Sequence, residues 1–182
     1  MPTIDSVGTA QTSDSASSLT FAHTCSGADR AIYVGVSIRR NGAQTINAVT
    51  YAGTSLTKVI ELINVGDVIV NLWRLAGPAT GANNVVVTLS AVAAIVACAI
   101  SLNDVNQSTV ERATASAQAE SGDASLSISS ATTDLVLDCL AVRAAPVVTV
   151  GAGQTERWNA KNAASNVRGA GSTEPGAASV TM

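Results

Sequence analysis

The sequence predicts an all-β fold, an antiparallel β-sandwich of jelly-roll-like type, over residues 1–182 as one domain. Three observations carry this. Turn signals recur about every ten residues, the rhythm of sandwiches and jelly rolls. The runs between them alternate apolar and polar side chains or are short and wholly apolar, and no longer segment carries a capped 3.6-residue period. The composition is 47% apolar yet only 3% aromatic and 13% charged, with Ala, Ser, Thr, Gly, Asn and Val in place of the usual charge. Such a chain has too much Val, Ile and Leu for disorder.

The elements follow in order. Residues 18–24 (SLTFAHT) alternate. Residues 31–39 (AIYVGVSIR) put Ile32, Val34, Val36 and Ile38 on one face and run into Asn41-Gly42, the strongest short hairpin signal. Residues 45–51 form the next strand, 52–55 (AGTS) a turn, 56–63 a strand, and Val65-Gly66-Asp67 a further turn. In residues 68–75 (VIVNLWRL), Val68, Val70, Leu72 and Arg74 share one face and Ile69, Asn71, Trp73 and Leu75 the other, which places Trp73 in the core. GPATGANN then reads as a hairpin loop, with VVVTLS as the returning strand. Residues 93–102 are almost continuously apolar, as expected for a strand covered on both faces.

In the second half, residues 111–120 (ERATASAQAE) read as an exposed strand, because their Ser and Thr content and flanking turns outweigh the helix propensity of Ala. Residues 125–129 and 134–142 are plain strands, and 146–150, 155–159, 166–170 and 177–182 shorter ones. The last of these ends at Met182 and leaves an open edge unless it is paired, continued by further chain, or completed by a neighbouring copy.

Several function classes lack their residues. The net charge is −3, and the ten Lys and Arg are scattered apart from Arg39-Arg40, so no basic stripe suits nucleic acid. The first residues have neither the basic nor the apolar region of a signal peptide. The longest apolar run, residues 91–100, is about half of a bilayer span. Membrane association is therefore not expected, and synthesis in the cytoplasm is. Three cysteines without CxxC spacing suggest neither a disulfide framework nor a zinc site. Cys98 and Cys139 lie in apolar runs and read as core, whereas Cys25 lies near a turn and reads as accessible.

His23 is the single histidine, so a Ser-His-Asp site would have to use it, and no GxSxG elbow accompanies it. The expected role is a strand-end histidine bonded to backbone, and no catalytic residue is assigned. Phosphate loops and calcium loops are absent, and no cofactor or metal is expected. Asp134, Asp138, Glu156 and Glu174 could serve glycoside hydrolysis only as a facing pair, and a solvated role is expected of them. The densest polar stretch, residues 154–168, holds Trp158 among Arg157, Asn159 and Arg168. Either Trp158 packs beneath a loop, or these four residues form a surface contact patch for a glycan, with the indole as stacking platform.

Four segments together resemble a known group: VTYAGTSLTKV (residues 49–59), LWRLAGPATGANNVVVTLS (72–90), ISLNDVNQST (100–109) and GAGQTERWNA with VRGAGSTEPGAASVTM (within 151–182). The chain resembles, over nearly its whole length, uncharacterised all-β proteins that recur in tailed bacteriophage and bacterial metagenomic sequences. It departs from their pattern at Ala52 and Asp104, where the group has glycine, and the tryptophan-bearing strand that usually follows S-V-T-M is absent. The resemblance implies a jelly-roll or lectin-like sandwich and, in phage members, a virion surface role without catalytic residues. The expected function is thus a non-enzymatic structural protein of a bacteriophage virion, most simply a capsid decoration or head- or tail-surface protein, assembled in the host cytoplasm. Its expected partners are copies of itself and phage capsid or tail proteins. The alternative is a carbohydrate- or cell-surface-binding module, and a hydrolase using His23 comes third.

Overall fold

The computed structural model describes residues 1–64, 67–119 and 124–182. Among them there is no helix and the strands are β1 (Thr3–Val7), β2 (Gln11–Cys25), β3 (Ala31–Arg39), β4 (Ile46–Tyr51), β5 (Thr54–Ser55), β6 (Thr57–Ile63), β7 (Val68–Ala76), β8 (Gly81–Asn103), β9 (Ser127–Ile128), β10 (Leu135–Leu137), β11 (Leu140–Arg143), β12 (Thr155–Lys161), β13 (Val167–Pro175) and β14 (Val180–Thr181). Every strand pairing is antiparallel.

The organising element is β8, 23 residues long. One of its edges carries β1 and β2 in succession, from Thr3 opposite Asn103 to Cys25 opposite Gly81. The other edge is divided: β4 pairs with its first half, near Val85–Leu89, and β3 with Ala94–Leu102. Beyond β3 lie β7 and β6, and beyond β4 lies β5. Because β8 bends between its two halves, the large sheet folds over itself. Phe21, Val49, Tyr51, Val85 and Val87 of one half then meet Ile32, Val34, Val36, Ile38, Ile69, Trp73 and Ile95 of the other in the main core.

A second sheet covers the outer face of β3, β7 and the end of β8. Its centre is β13, with β10 and β11 along one edge and β12 along the other. Tyr33, Leu72, Cys98, Ile100 and Leu102 pack there against Trp158, and Val96 packs against Val167. The result is an all-β antiparallel sandwich in which β3 is covered on both sides. That accounts for its sequence: residues 31–38 are all buried, and Gly35 stands where a Cβ would come within 2.6 Å of Cys139 Sγ and 2.8 Å of the Trp158 ring.

Much of the expected order is present. Residues 31–39 form β3, residues 68–75 lie within β7 with the two faces as read, and 93–102 are buried on both faces. Two expected hairpins are not. Asn41-Gly42 does not join paired strands, because both edges of β3 are taken by β7 and β8 and the chain crosses instead to the other half of the sheet. For the same reason GPATGANN joins β7 to β8, which are not neighbours; β8 already begins at Gly81. Residues 111–119 form no ladder, and Glu120 and the Val65-Gly66 part of an expected turn lie outside the described residues. The strand read at 134–142 is broken at Asp138 and Cys139 into β10 and β11, and residues 146–150 form no strand. β1 and the first half of β2 were not expected; their Thr, Ser, Gln and Asp side chains carry no apolar alternation. At the other end, Met182 is paired: its N–H and carbonyl both bond Leu126, at 2.8 Å each, continuing the β9–β14 ladder.

Candidate functional site

The alternation of β2 turns Phe21, His23 and Cys25 inward. A bulge in β1 between Ile4 and Ser6 frees Asp5 from the ladder, and such bulges re-aim side chains. The curl of the ribbon brings these residues to Ser101 of β8. His23 Nε2 lies 3.0 Å from Ser101 Oγ, and that hydroxyl donates to Asp5 Oδ2 at 2.8 Å. Asp5 also accepts the Ser26 N–H at 2.9 Å and the Ser26 hydroxyl. With the Ser101 proton directed to Asp5, Nε2 of His23 carries the proton it donates to Ser101. Burial holds His23 below the usual imidazole range, against the opposing pull of Asp5. Burial pushes Asp5 up, but the bonds from Ser26 and Ser101 and the nearness of His23 outweigh it, and the carboxyl rests below its ordinary value.

The chemistry of this chain differs from that of a nucleophilic triad. There the histidine accepts the serine proton and the carboxylate holds the histidine. Here Ser101 stands between the two and is fully buried, and its proton points away from the ring. The arrangement ties three strand segments together. His23 bonds a side chain rather than backbone, a departure from the expectation. Cys25 is also corrected: it is buried, and burial raises its thiol pKa.

Trp158 is buried, with 5% exposure. Its ring lies over Gly171, where a Cβ would fall within 2.1 Å of it, and reaches Gly35 of β3. It is therefore part of the second core and offers no stacking surface, which corrects its place in the expected contact patch. The other three members are half-buried along β12 and β13, where Arg168 and Asn159 are joined and Arg157 bonds elsewhere. Arg168 Nη1 donates to Asn159 Oδ1 at 2.6 Å, and Asn159 Nδ2 donates to Glu156 Oε2 at 2.8 Å and the Val148 carbonyl at 3.0 Å. Arg157 Nε donates to Thr173 Oγ1 at 2.7 Å. Three of the four carboxylates are bonded elsewhere: Asp134 binds Arg112 at 2.6 Å, Asp138 accepts the Ser172 N–H beside the β10–β11 break, and Glu156 accepts from Asn159, whereas Oε2 of Glu174 is buried without a partner. Among the described residues no three His, Cys, Asp or Glu side chains come together as a metal site would require.

An open cleft of about 280 Å³ lies where the two sheets meet, lined by Arg39, Arg143, Ala144, Ser165 and Asn166. The sequence reading missed it. Arg39 ends β3, Arg143 ends β11, and Ser165 and Asn166 precede β13, so nothing local in the chain announces their meeting. No family model, curated protein or solved structure matches this chain.

Proposed function

We propose that this chain is a non-catalytic structural subunit of a tailed-phage particle, a capsid decoration or head- or tail-surface protein that acts by associating with copies of itself and adhering to the shell. The observation that carries the reading is a pair of largely exposed segments that lie outside the sheets. Residues 113–119 are exposed and join no ladder. Residues 146–150 also join none, and present Val147 at 82% exposure. Apart from the Val148 carbonyl, which Asn159 Nδ2 holds, this is backbone without a strand partner, and beside an apolar side chain it is suited to addition at a neighbour's sheet edge. The first segment, ATASAQA, has no charge, so packing it against an identical copy would desolvate no like charges.

The resemblance to phage proteins fits the same backbone. Both departures from that pattern, Ala52 with φ 50° and Asp104 with φ 58°, stand in the left-handed region, where glycine is the least strained residue.

The test is the mass of the chain in solution by light scattering, for the native protein and Val147→Asp. A closed oligomer that the substitution dissociates is the expected result. A native chain that stays monomeric at every concentration and does not co-sediment with phage heads or tails would overturn the proposal.

A further inference from the structure

The geometry points to the cleft between the sheets as a binding site for a small anion bearing a carboxylate or phosphate group. This inference is independent of the virion reading.

Its cationic groups come from three strands. Arg143 is 61% exposed, and its Nε is held 3.0 Å from Asp67 Oδ1. Arg39 is fully engaged and serves as a fixed wall: its Nη1 donates to the carbonyls of Arg40 and Asp67 and lies 2.7 Å from Asp67 Oδ1. Lys161 of β12 reaches the rim, where its Nζ donates to Ser165 Oγ at 2.7 Å. Two arginines thus share one carboxylate, Asp67, to which Arg143 also turns its Nη1 at 3.5 Å, and Lys161 adds a third positive charge at the Ser165 rim, in a chain whose net charge is −3. Asp14 accepts bonds from Asn162 Nδ2 at 2.6 Å and the Ala164 N–H at 2.9 Å. The planar fork of an exposed, pre-oriented arginine matches carboxylate and phosphate oxygens.

Two further observations distinguish this cleft from an ordinary surface ion pair. Its backbone is strained on both rims: Ala144 (φ 56°) and Ala145 (φ 46°) follow Arg143, and Ser165 (φ 54°) faces them. The Ala144 N–H bonds the Asn166 carbonyl at 3.3 Å, one step beyond the Arg143–Val167 pair of the β11–β13 ladder. Non-glycine residues in this region persist where surrounding structure imposes them, and they cluster at ligand sites. The Asn166 side chain also has a buried amide oxygen without a partner. A half-turn of that amide would offer its NH₂ to an incoming anion.

Calorimetric titration of the full chain at low ionic strength, with inorganic phosphate and with malonate as separate probes, tests this. Saturable binding of one anion per chain to at least one probe is expected, weakened at least tenfold in Arg143→Gln. The preferred probe tells phosphate from carboxylate recognition. Arg143 is exposed, so the variant should keep the native melting profile, which is checked alongside. Absence of saturable binding to both probes, or binding that Arg143→Gln leaves unchanged, overturns the assignment.

Discussion

His23 Nε2 lies 3.0 Å from Ser101 Oγ, although the two residues sit near opposite ends of one ribbon: His23 pairs with Asn83, and Ser101 with Ser6. The contact, continued to Asp5 and Ser26, is the seam at which the curled sheet meets itself.

That seam makes stability depend on pH. His23 titrates lower in the folded chain than in the unfolded one because it is buried. Below about pH 6.5 the unfolded state binds the extra proton and the folded state resists it, so stability falls as pH drops. Asp5 titrates lower in the folded chain, so its contribution is present above about pH 4 and is lost on further acidification. Thermal melts from pH 8 to pH 4 should show a progressive fall, and His23→Gln should flatten the part between pH 6.5 and 5. An unchanged slope in that variant would show that the seam does not govern it.

Gly171→Ala should destabilise by about 1–3 kcal/mol, because the added methyl must displace a packed indole. Its Cβ would lie 2.1 Å from Trp158 Cζ2 and Cη2. Adding Trp158→Phe to that variant should recover part of the loss, and a double-mutant cycle on melting data would measure the coupling.

Ala52→Gly should stabilise by about 0.5–1 kcal/mol, the relief of left-handed strain less the entropy gained by the unfolded chain. Ala52 has φ 50° and leads directly into Gly53, where φ is 79°. Asp104→Gly should gain less, since Asp tolerates this region better and Asp104 accepts a bond from the Thr3 hydroxyl. Melting temperatures decide both.

Glu111 holds the start of the unpaired segment. It accepts the Tyr33 hydroxyl at 3.0 Å and two bonds from Arg74, at 2.9 and 3.0 Å. Glu111→Ala leaves those half-buried groups without their acceptor, at a cost of about 1–3 kcal/mol. Limited proteolysis should then cut within residues 113–119 faster than in the native chain.

The three thiols should be silent to a disulfide reagent in the native state and all react in denaturant. Cys25 and Cys98 are fully buried. Burial pushes Cys98 up to about 12 and also raises Cys25 and Cys139, and the thiolate is the reactive form. Rapid native labelling would contradict this.

What was legible in the chain was what side chains alone decide. β3, β7 and the second half of β8 announce themselves because Ile32, Val34, Ile69, Trp73 and Ile95 must be removed from water. β1 and the start of β2 do not, because backbone bonds to β8 hold them, β1 is only half-buried and the side chains that open β2 stay largely exposed. Asn41-Gly42 misled because a turn preference acts over four residues, while both edges of β3 were already claimed by strands far along the chain. Asp5, Ser101 and His23 are individually ordinary, and only the curl of the sheet joins them. Trp158 could be placed on neither side from its neighbours, because the deciding partners, Gly35 and Gly171, lie on other strands.

The pairing of Thr3 with Asn103 also sets an order of events during synthesis. A ribosome adding about 5–20 residues each second needs roughly 5–20 s to make the partner of the first strand. Until then the N-terminal segment has nowhere to dock, and a greasy strand would invite neighbouring nascent chains. The run QTSDSASS that opens β2 is soluble while it waits. Its polarity, which hid it as a strand, suits a segment that must wait for its partner to be made.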